Sequence, residues 1–477
     1  MGMPEELLSD TQWPSKQAVG RPRFWRYKGN PAVLVLNVKG DLVDVRKPDP
    51  LAKLRGQSDP PSGLLALIAA LQKAAADDQV ASVYLRIGGL ATSMARVEEL
   101  RDAIRKVRAV KPVVGFFESG AELEIALGAS CTELHVSPGG YTMLSGFAQR
   151  SVLLRGMLKR LGLEPEVSQI GAWKGGHVLA GDPTDGVGEP EEVKIQSAKM
   201  LEAQRERYLA GVAEDSGSDA IVGLLKEGAM GDALSSSDLF TSIVYEDQLA
   251  CSLLEKASSK STDPKKKPAL WLSLQTYNRV PASKLGLEAK QTAWYSLLVG
   301  GKKTPTVAVV PLTGQIFGGD GKSNSPRIFA EPAIAAIRAV AERKDVAAVV
   351  LRVDSPGGDA LASELIWRAA CLLGTTKPVV ASMGSVAASG GYFIPMAAHR
   401  IFAQPSTITG SIGVISARFS PAELLEKHLR VWTDVITAGD DKFAAMSNAG
   451  HRLWTEAEWE RMSNWTREIY SGFIEKV

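Results

Sequence analysis

The chain has 477 residues, 45% of them hydrophobic and 23% charged, with 55 Lys and Arg against 53 Asp and Glu for a formal net charge of +2. This balance excludes a disordered chain, collagen and a small disulfide scaffold, and the length suggests about three structural units with cores of their own. No long basic stripe is present, which argues against nucleic acid as a partner, because phosphate neutralisation needs clustered Lys and Arg. Cys131, Cys251 and Cys371 are odd in number and far apart, so neither a disulfide framework nor a Cys-x-x-Cys metal site is implied and no metal or cofactor is expected.

In chain order, residues 1–30 read as an N-terminal tail, lacking the basic-then-apolar pattern of a signal peptide and the Ser/Arg bias of a transit peptide. No apolar run approaches the roughly 18 to 20 residues that span a bilayer. Membrane contact is therefore expected to be peripheral, or to use a segment outside this chain. From Pro31 short β-branched runs alternate with stretches of helical period. LLALIAALQKAAA predicts an amphipathic helix, SVYLRI a buried strand, VEELRDAIRKV a helix and KPVVGFF another strand. This rhythm implies parallel strands joined by right-handed crossovers. DLFTSIVYED reads as a closing strand, and the Ser/Lys/Pro-rich stretch from Lys256 to Trp271 as a linker whose Lys265-Lys266-Lys267 run is a solvated surface. The chain ends in a helical pattern, WERMSNWTREIYSGFIEKV.

The pattern occurs twice. PAVLVLNVKGDLV from Pro31 resembles PTVAVVPLTGQIF from Pro305, Leu85-Arg86 answers Leu351-Arg352, Lys111-Pro-Val-Val answers Lys377-Pro-Val-Val, and Gly146 answers Gly413, all at nearly constant spacing. The expected architecture is α/β, two tandem domains from an internal duplication. The first repeat covers 31–250, a linker region 251–304, and the second repeat 305–477, which is shorter and is expected to lack the last part of its fold.

Chemistry appears where the copies differ. The second reads Asp354-Ser-Pro-Gly-Gly-Asp359 where the first has Gly88-Gly-Leu-Ala-Thr-Ser93, and Ser389-Gly390-Gly391 is answered by Leu123-Glu124-Ile125. A small-residue cluster such as AASGG lets a helix begin at a strand end with its serine exposed and the next amide free to donate, a geometry suited to a nucleophile beside an oxyanion hole. The SPGG turn supplies a second N–H, because glycines allow a carbonyl oxygen to approach the chain closely. Taken alone, SPGG also reads as a β-turn and ASGG as a helix-packing contact.

Serine needs a base. The five histidines, His135, His177, His399, His428 and His451, have no partnering Asp at a recognisable spacing, so a Ser-His-Asp triad is poorly supported. A lysine serves if burial brings its pKa from about 10.4 toward roughly 7 to 8. Lys174 in GAWKGGHV and Lys442 in GDDKFAAM are repeat equivalents, and either also reads as a surface lysine. Asp440 and Asp441 would stabilise the Lys442 ammonium, while Trp173 and two glycines give Lys174 a less charged setting.

These residues make the chain resemble the signal peptide peptidase SppA family, also called protease IV, in its long, duplicated form. The resemblance rests on LRVDSPGGDALASELIWR, KPVVASMGSVAASGGYF and PSTITGSIGV, and its wording is most similar to the plant-plastid and cyanobacterial branch. It implies the ClpP/crotonase superfamily fold and a serine endopeptidase with a Ser-Lys dyad, assembled as a homo-oligomeric, tetramer-like ring. Ser389 matches the family nucleophile, and Lys174 the base contributed by the first copy. Gly390, Gly357 and Gly358 match the oxyanion donors, and Ser411 the serine that orients the lysine. Lys442 matches the base of short, unduplicated members and stays as the alternative. Lys174-Gly175-Gly176 replaces the Lys-Ser-Ala of the family. The implied substrates are hydrophobic peptides, signal-peptide remnants or membrane-associated proteins, and the implied location is the plastid thylakoid, with the bacterial cell envelope as alternative. Two other readings remain: a catalytically impaired pseudoprotease that scaffolds an oligomer, and a crotonase-like acyl-CoA enzyme, for which no basic cluster suggests a CoA pocket.

Overall fold

The computed structural model describes residues 31–46, 63–171, 173–259, 268–278, 305–321, 327–438 and 443–477. In chain order, the elements that build the sheets and the site are β1 (Ala32–Gly40), α1 (Leu64–Ala76), β2 (Val80–Leu90), α2 (Met94–Arg108), β3 (Val113–Phe117), α3 (Glu122–Ala129), β4 (Glu133–Val136) and β5 (Glu164–Ile170). They continue with β6 (Ser242–Ile243), α4 (Glu246–Ser259), β7 (Leu270–Ser273), β8 (Thr306–Thr313), β9 (Gln315–Phe317), β10 (Arg327–Phe329), α5 (Ala330–Glu342) and β11 (Val346–Ser355). The last are α6 (Ala360–Gly374), β12 (Val379–Ala388), α7 (Gly390–Phe393), β13 (Arg400–Phe402), β14 (Ile408–Gly410), β15 (Val414–Ser420) and α8 (Glu456–Ile474). No described helix is long and apolar enough to cross a membrane.

The chain is α/β and forms two compact units that interleave in sequence. One takes its described residues from 1–147, 205–304 and 404–406, the other from 148–204, 305–403 and 407–477. The repeat boundaries read from the sequence, 31–250 and 305–477, run differently, since residues 148–204 group with the second unit.

In the first unit a six-stranded parallel sheet has the order β6-β4-β3-β2-β1-β7. The apolar stripe of α1 (Leu64, Leu67, Leu71) and that of α2 (Val97, Leu100, Ile104) close one face over Leu34, Leu36, Leu85 and Phe117. On the other face Leu249, Leu253 and Ala257 of α4 pack on Val33, Tyr84, Val114 and Phe116. The stretch expected as a linker thus begins inside α4 and ends in β7, whose Leu270–Ser273 pairs in parallel with β1. A surface-like Lys/Ser/Pro composition in its centre masks apolar ends that the sheet buries. Closing-strand pairing from DLFTSIVYED is confined to Ser242–Ile243.

In the second unit a parallel sheet runs β13-β12-β11-β8, the order that β4-β3-β2-β1 has in the first, and β14 pairs with the far end of β12. Its core is Val349, Leu351 and Val353 of β11 under Ile337 of α5 and Ile366, Ala370 and Leu373 of α6. Beside this sheet β5 and β15 form an antiparallel pair.

Candidate active site

Strand β12 delivers Ser389. Ala388 pairs with Gly410 of β14, and the Ser389 N–H donates to the Gly410 carbonyl at 2.9 Å, so the strand is held to its last residue. There the chain turns abruptly, with Ser389 at φ 55° and ψ −122°, a conformation that costs a non-glycine residue roughly 1–3 kcal/mol and persists only where the surroundings impose it. The N–H groups of Tyr392 and Phe393 both donate to the Ser389 carbonyl at 2.9 Å, so α7 starts at once. Small residues are needed here because the backbone is closely backed. A Cβ on Gly390 would run into Ser363 Oγ, and one on Gly391 into the Ser355 carbonyl.

Lys174 arrives from another direction. Ile170, the last residue of β5, pairs with Val414, the first of β15, and a turn closed by the Lys174 N–H on the Gly171 carbonyl (3.2 Å) sends the lysine back toward the β14–β15 junction. Its stem passes Gly413, where a Cβ would stand 3.3 Å from Lys174 Cδ. Nζ lies 2.7 Å from Ser389 Oγ, 2.7 Å from the Ser411 carbonyl oxygen and 3.5 Å from Ser411 Oγ. Among the described residues, Lys174 is the one side chain hydrogen-bonded to the Ser389 hydroxyl. Burial lowers the Lys174 pKa to about 8, since desolvation disfavours the ammonium. Trp173 contributes little to that setting: it is 61% exposed and its Nε1 donates to the Glu192 carbonyl at 3.2 Å.

The SPGG turn lies against the serine. A Cβ on Gly357 would stand 2.7 Å from Gly390 N and 2.8 Å from Ser389 Cβ, and one on Gly358 would strike the Ile316 carbonyl. With φ at 99° and 154°, these two positions also need glycine for backbone reasons. The Gly357 N–H donates to Ser355 Oγ at 3.1 Å, the Ile316 N–H to the Gly357 carbonyl at 2.9 Å, and the Asp359 N–H to the Ile316 carbonyl at 3.0 Å. The N–H groups of Gly358 and Gly390 have no acceptor among the described residues.

The second unit therefore gathers Ser389, Lys174, Ser411, Gly357, Gly358 and Gly390 within itself. Lys174 was expected from the first copy, but β5 places it in the second unit by pairing with β15. Lys442 lies outside the described residues. Sequence reasoning passed over Ser355, Ser363 and Gly410. A Ser two residues before a glycine is an ST-turn signal and marks Ser355, whereas the other two depend on long-range contact.

The corresponding positions of the first unit are closed. Leu123 packs against the core, and the buried Glu124 carboxylate accepts the N–H of Leu90 at 2.5 Å and of Ala121 at 2.9 Å.

Comparison with known proteins bears on this arrangement. Residues 372–477 match the family model for peptidase family S49. The chain is 32% identical over 459 residues to the chloroplastic serine protease SPPA of Arabidopsis thaliana, an alignment covering 95% of this chain and 63% of that protein. It is 27% identical over 395 residues to Protease 4 of Haemophilus influenzae, covering 80% and 62%. Thus the chain spans about 60% of the length of these curated relatives. Among solved structures, a membrane-bound stomatin-specific protease aligns over 51% of this chain and 98% of its own at 11% identity, with a TM-score of 0.28.

Proposed function

We propose that this chain, which carries a peptidase family S49 domain over residues 372–477, is a serine endopeptidase whose nucleophile is Ser389 and whose base is Lys174. The observation that carries the reading is the 2.7 Å approach of Lys174 Nζ to Ser389 Oγ, made by an amine that burial brings to a pKa of about 8. A group titrating near neutrality both accepts a proton and returns it.

The steps follow from the geometry. With Lys174 neutral, its lone pair accepts the Ser389 O–H proton while its own N–H donates to the Ser411 carbonyl, which fixes the amine's direction. Ser389 Oγ attacks the scissile carbonyl carbon, and the C=O electron pair moves onto oxygen. The uncommitted N–H groups of Gly390 and Gly358 stabilise that oxyanion. Collapse expels the amine product, which takes the proton from the Lys174 ammonium. A water then gives a proton to Lys174 and attacks the ester carbonyl carbon; collapse breaks the acyl–Oγ bond and releases the acid, and Ser389 Oγ takes the proton back from the Lys174 ammonium. The strained turn at Ser389 serves this by holding the hydroxyl clear of α7.

The relatives' names support a protease acting on peptides, and the sequence resemblance supports hydrophobic ones, including remnants of signal peptides, as substrates. They support action at a plastid membrane surface, and the resemblance adds a ring of several copies. The sequence repeat and the shared strand order of the two sheets support a common origin for the two units, with the first now silent. The test is hydrolysis of a labelled apolar peptide by the purified chain, with covalent labelling by a fluorophosphonate. Ser389→Ala is expected to lose both, and hydrolysis at an unchanged rate in that variant overturns the reading.

A further inference from the structure

We propose that Ser355 is a positioning residue of this site, holding the Gly357 N–H so that the Gly358 N–H becomes the donor that the SPGG turn offers to the reacting carbonyl. The inference rests on the peptidase reading and deepens it.

Two consecutive glycines make a poor preorganised donor. Neither has a Cβ to restrict its torsions, so the peptide planes on either side of Gly357 rotate readily unless something holds them. Oxyanion stabilisation needs the opposite, a dipole already aimed before charge develops. Three hydrogen bonds supply the restraint. Ile316 N–H holds the Gly357 carbonyl, Ile316 C=O holds the Asp359 N–H, and Ser355 Oγ holds the Gly357 N–H. The first two come from the main chain of β9 and survive any side-chain change. The third depends on one hydroxyl, and it decides which of the two glycine amides is spent and which is free.

Ser355 is well placed to be a fixed point. It ends β11, pairs with Ala387 of β12 two residues before the nucleophile, and is fully buried. Its carbonyl backs Gly391 so closely that a Cβ there would collide with it. One buried residue thus touches both parts of the donor pair, the turn through its hydroxyl and the start of α7 through its main chain.

Purified wild type, Ser355→Ala and Ser355→Cys are compared for kcat and KM on an apolar peptide and for affinity toward a peptide aldehyde, whose hemiacetal oxygen mimics the oxyanion. Assays run well below each variant's measured melting temperature. For Ser355→Ala, kcat is expected to fall about 10- to 100-fold with KM within about twofold, and aldehyde affinity to weaken in step with kcat. Ser355→Cys, which keeps a weak acceptor, is expected to fall between. A folded Ser355→Ala with wild-type kcat and aldehyde affinity overturns the proposal, as does one in which KM alone rises. If Ser355→Ala does not fold, Ser355→Cys decides by the same criterion. A wild-type chain that neither cleaves peptide nor binds the aldehyde overturns the peptidase reading itself, and Ser355 with it.

Discussion

Ile170 faces Val414 where β5 meets β15, and this one pairing sets how far Lys174 reaches. Four residues beyond Ile170 comes the lysine, and three before Val414 comes Ser411, whose carbonyl receives its Nζ. Behind this register stands a polar clamp. Arg418 pairs with Glu166 directly across the strands (2.6 Å), donates to the carbonyls of Ala449 and Arg452, and lies 4.2 Å over the Trp454 ring, while the Trp454 N–H donates to Glu166. All these residues belong to the second unit, and α8 packs on the same strands.

Arg418→Ala therefore removes a partly buried, multiply hydrogen-bonded cation. A loss of about 1.5–3 kcal/mol in unfolding free energy is expected, in the range for hydrogen bonds to charged groups. Because β5 leads into the turn that bears Lys174, the proposed base, kcat is expected to fall more than KM rises. Denaturant melts and steady-state kinetics check both, and a variant with wild-type stability and kcat would show that the clamp does not hold the lysine strand.

The lowered pKa of Lys174 fixes the sign of the pH dependence. Only the neutral amine accepts the Ser389 proton, and the neutral fraction grows as pH rises through about 8. So kcat/KM is expected to climb about tenfold per pH unit below that value and to level off above it. Lys174→Arg, permanently charged, is expected to be inactive throughout. A profile flat from pH 6 to 9, measured with the protein folded across the range, would remove Lys174 from the role of base.

Much of this was legible beforehand, and the reasons differ by element. The helix over Leu64–Ala76 is found where its apolar period places it, because that face is buried in one layer against a parallel sheet. AASGG marks a strand-to-helix turn because only small residues fit under Ser363 and Ser355. The placement of 148–204 was not legible, because it depends on β5 pairing with a strand some 250 residues later in the chain. Nor was β7, whose partner β1 lies at the opposite end of the first unit's sequence. Local pattern reports what a segment is able to form, and partner choice between distant strands leaves no local trace. Gly357 illustrates the same limit within a motif: either glycine of SPGG suits a donor by type, and the pattern does not reveal that the Ser355 hydroxyl engages the Gly357 N–H.

Gly390→Ala tests the close backing of the helix start. Its methyl would collide with Ser363 Oγ, forcing the Gly390 N–H away from the site. Loss of one oxyanion donor typically costs about 100- to 1000-fold in kcat. Ser363 is buried and its hydroxyl donates to the Asp359 carbonyl at 2.7 Å, so removing that oxygen opens space at the cost of one hydrogen bond. The double variant Gly390→Ala, Ser363→Ala is accordingly expected to regain at least tenfold over Gly390→Ala alone. Additive losses would mean that the collision is absent.

Ser411 offers Lys174 two acceptors, and their distances rank them. The carbonyl oxygen stands at 2.7 Å and the hydroxyl at 3.5 Å, the outer limit for a useful hydrogen bond. A lysine oriented chiefly by a main-chain carbonyl does not depend on the side chain that bears it. Ser411→Ala is therefore expected to lower kcat by less than about tenfold and to leave the pH midpoint near 8. Ser411 also sits at φ 48°, where glycine is free of the strain that alanine keeps, so Ser411→Gly is expected to match Ser411→Ala in rate while unfolding no more easily. Comparison of kcat and of denaturant midpoints across the three proteins separates the contributions. A loss in Ser411→Ala approaching that of Lys174→Ala would show instead that the hydroxyl, drawn closer during turnover, is what directs the amine.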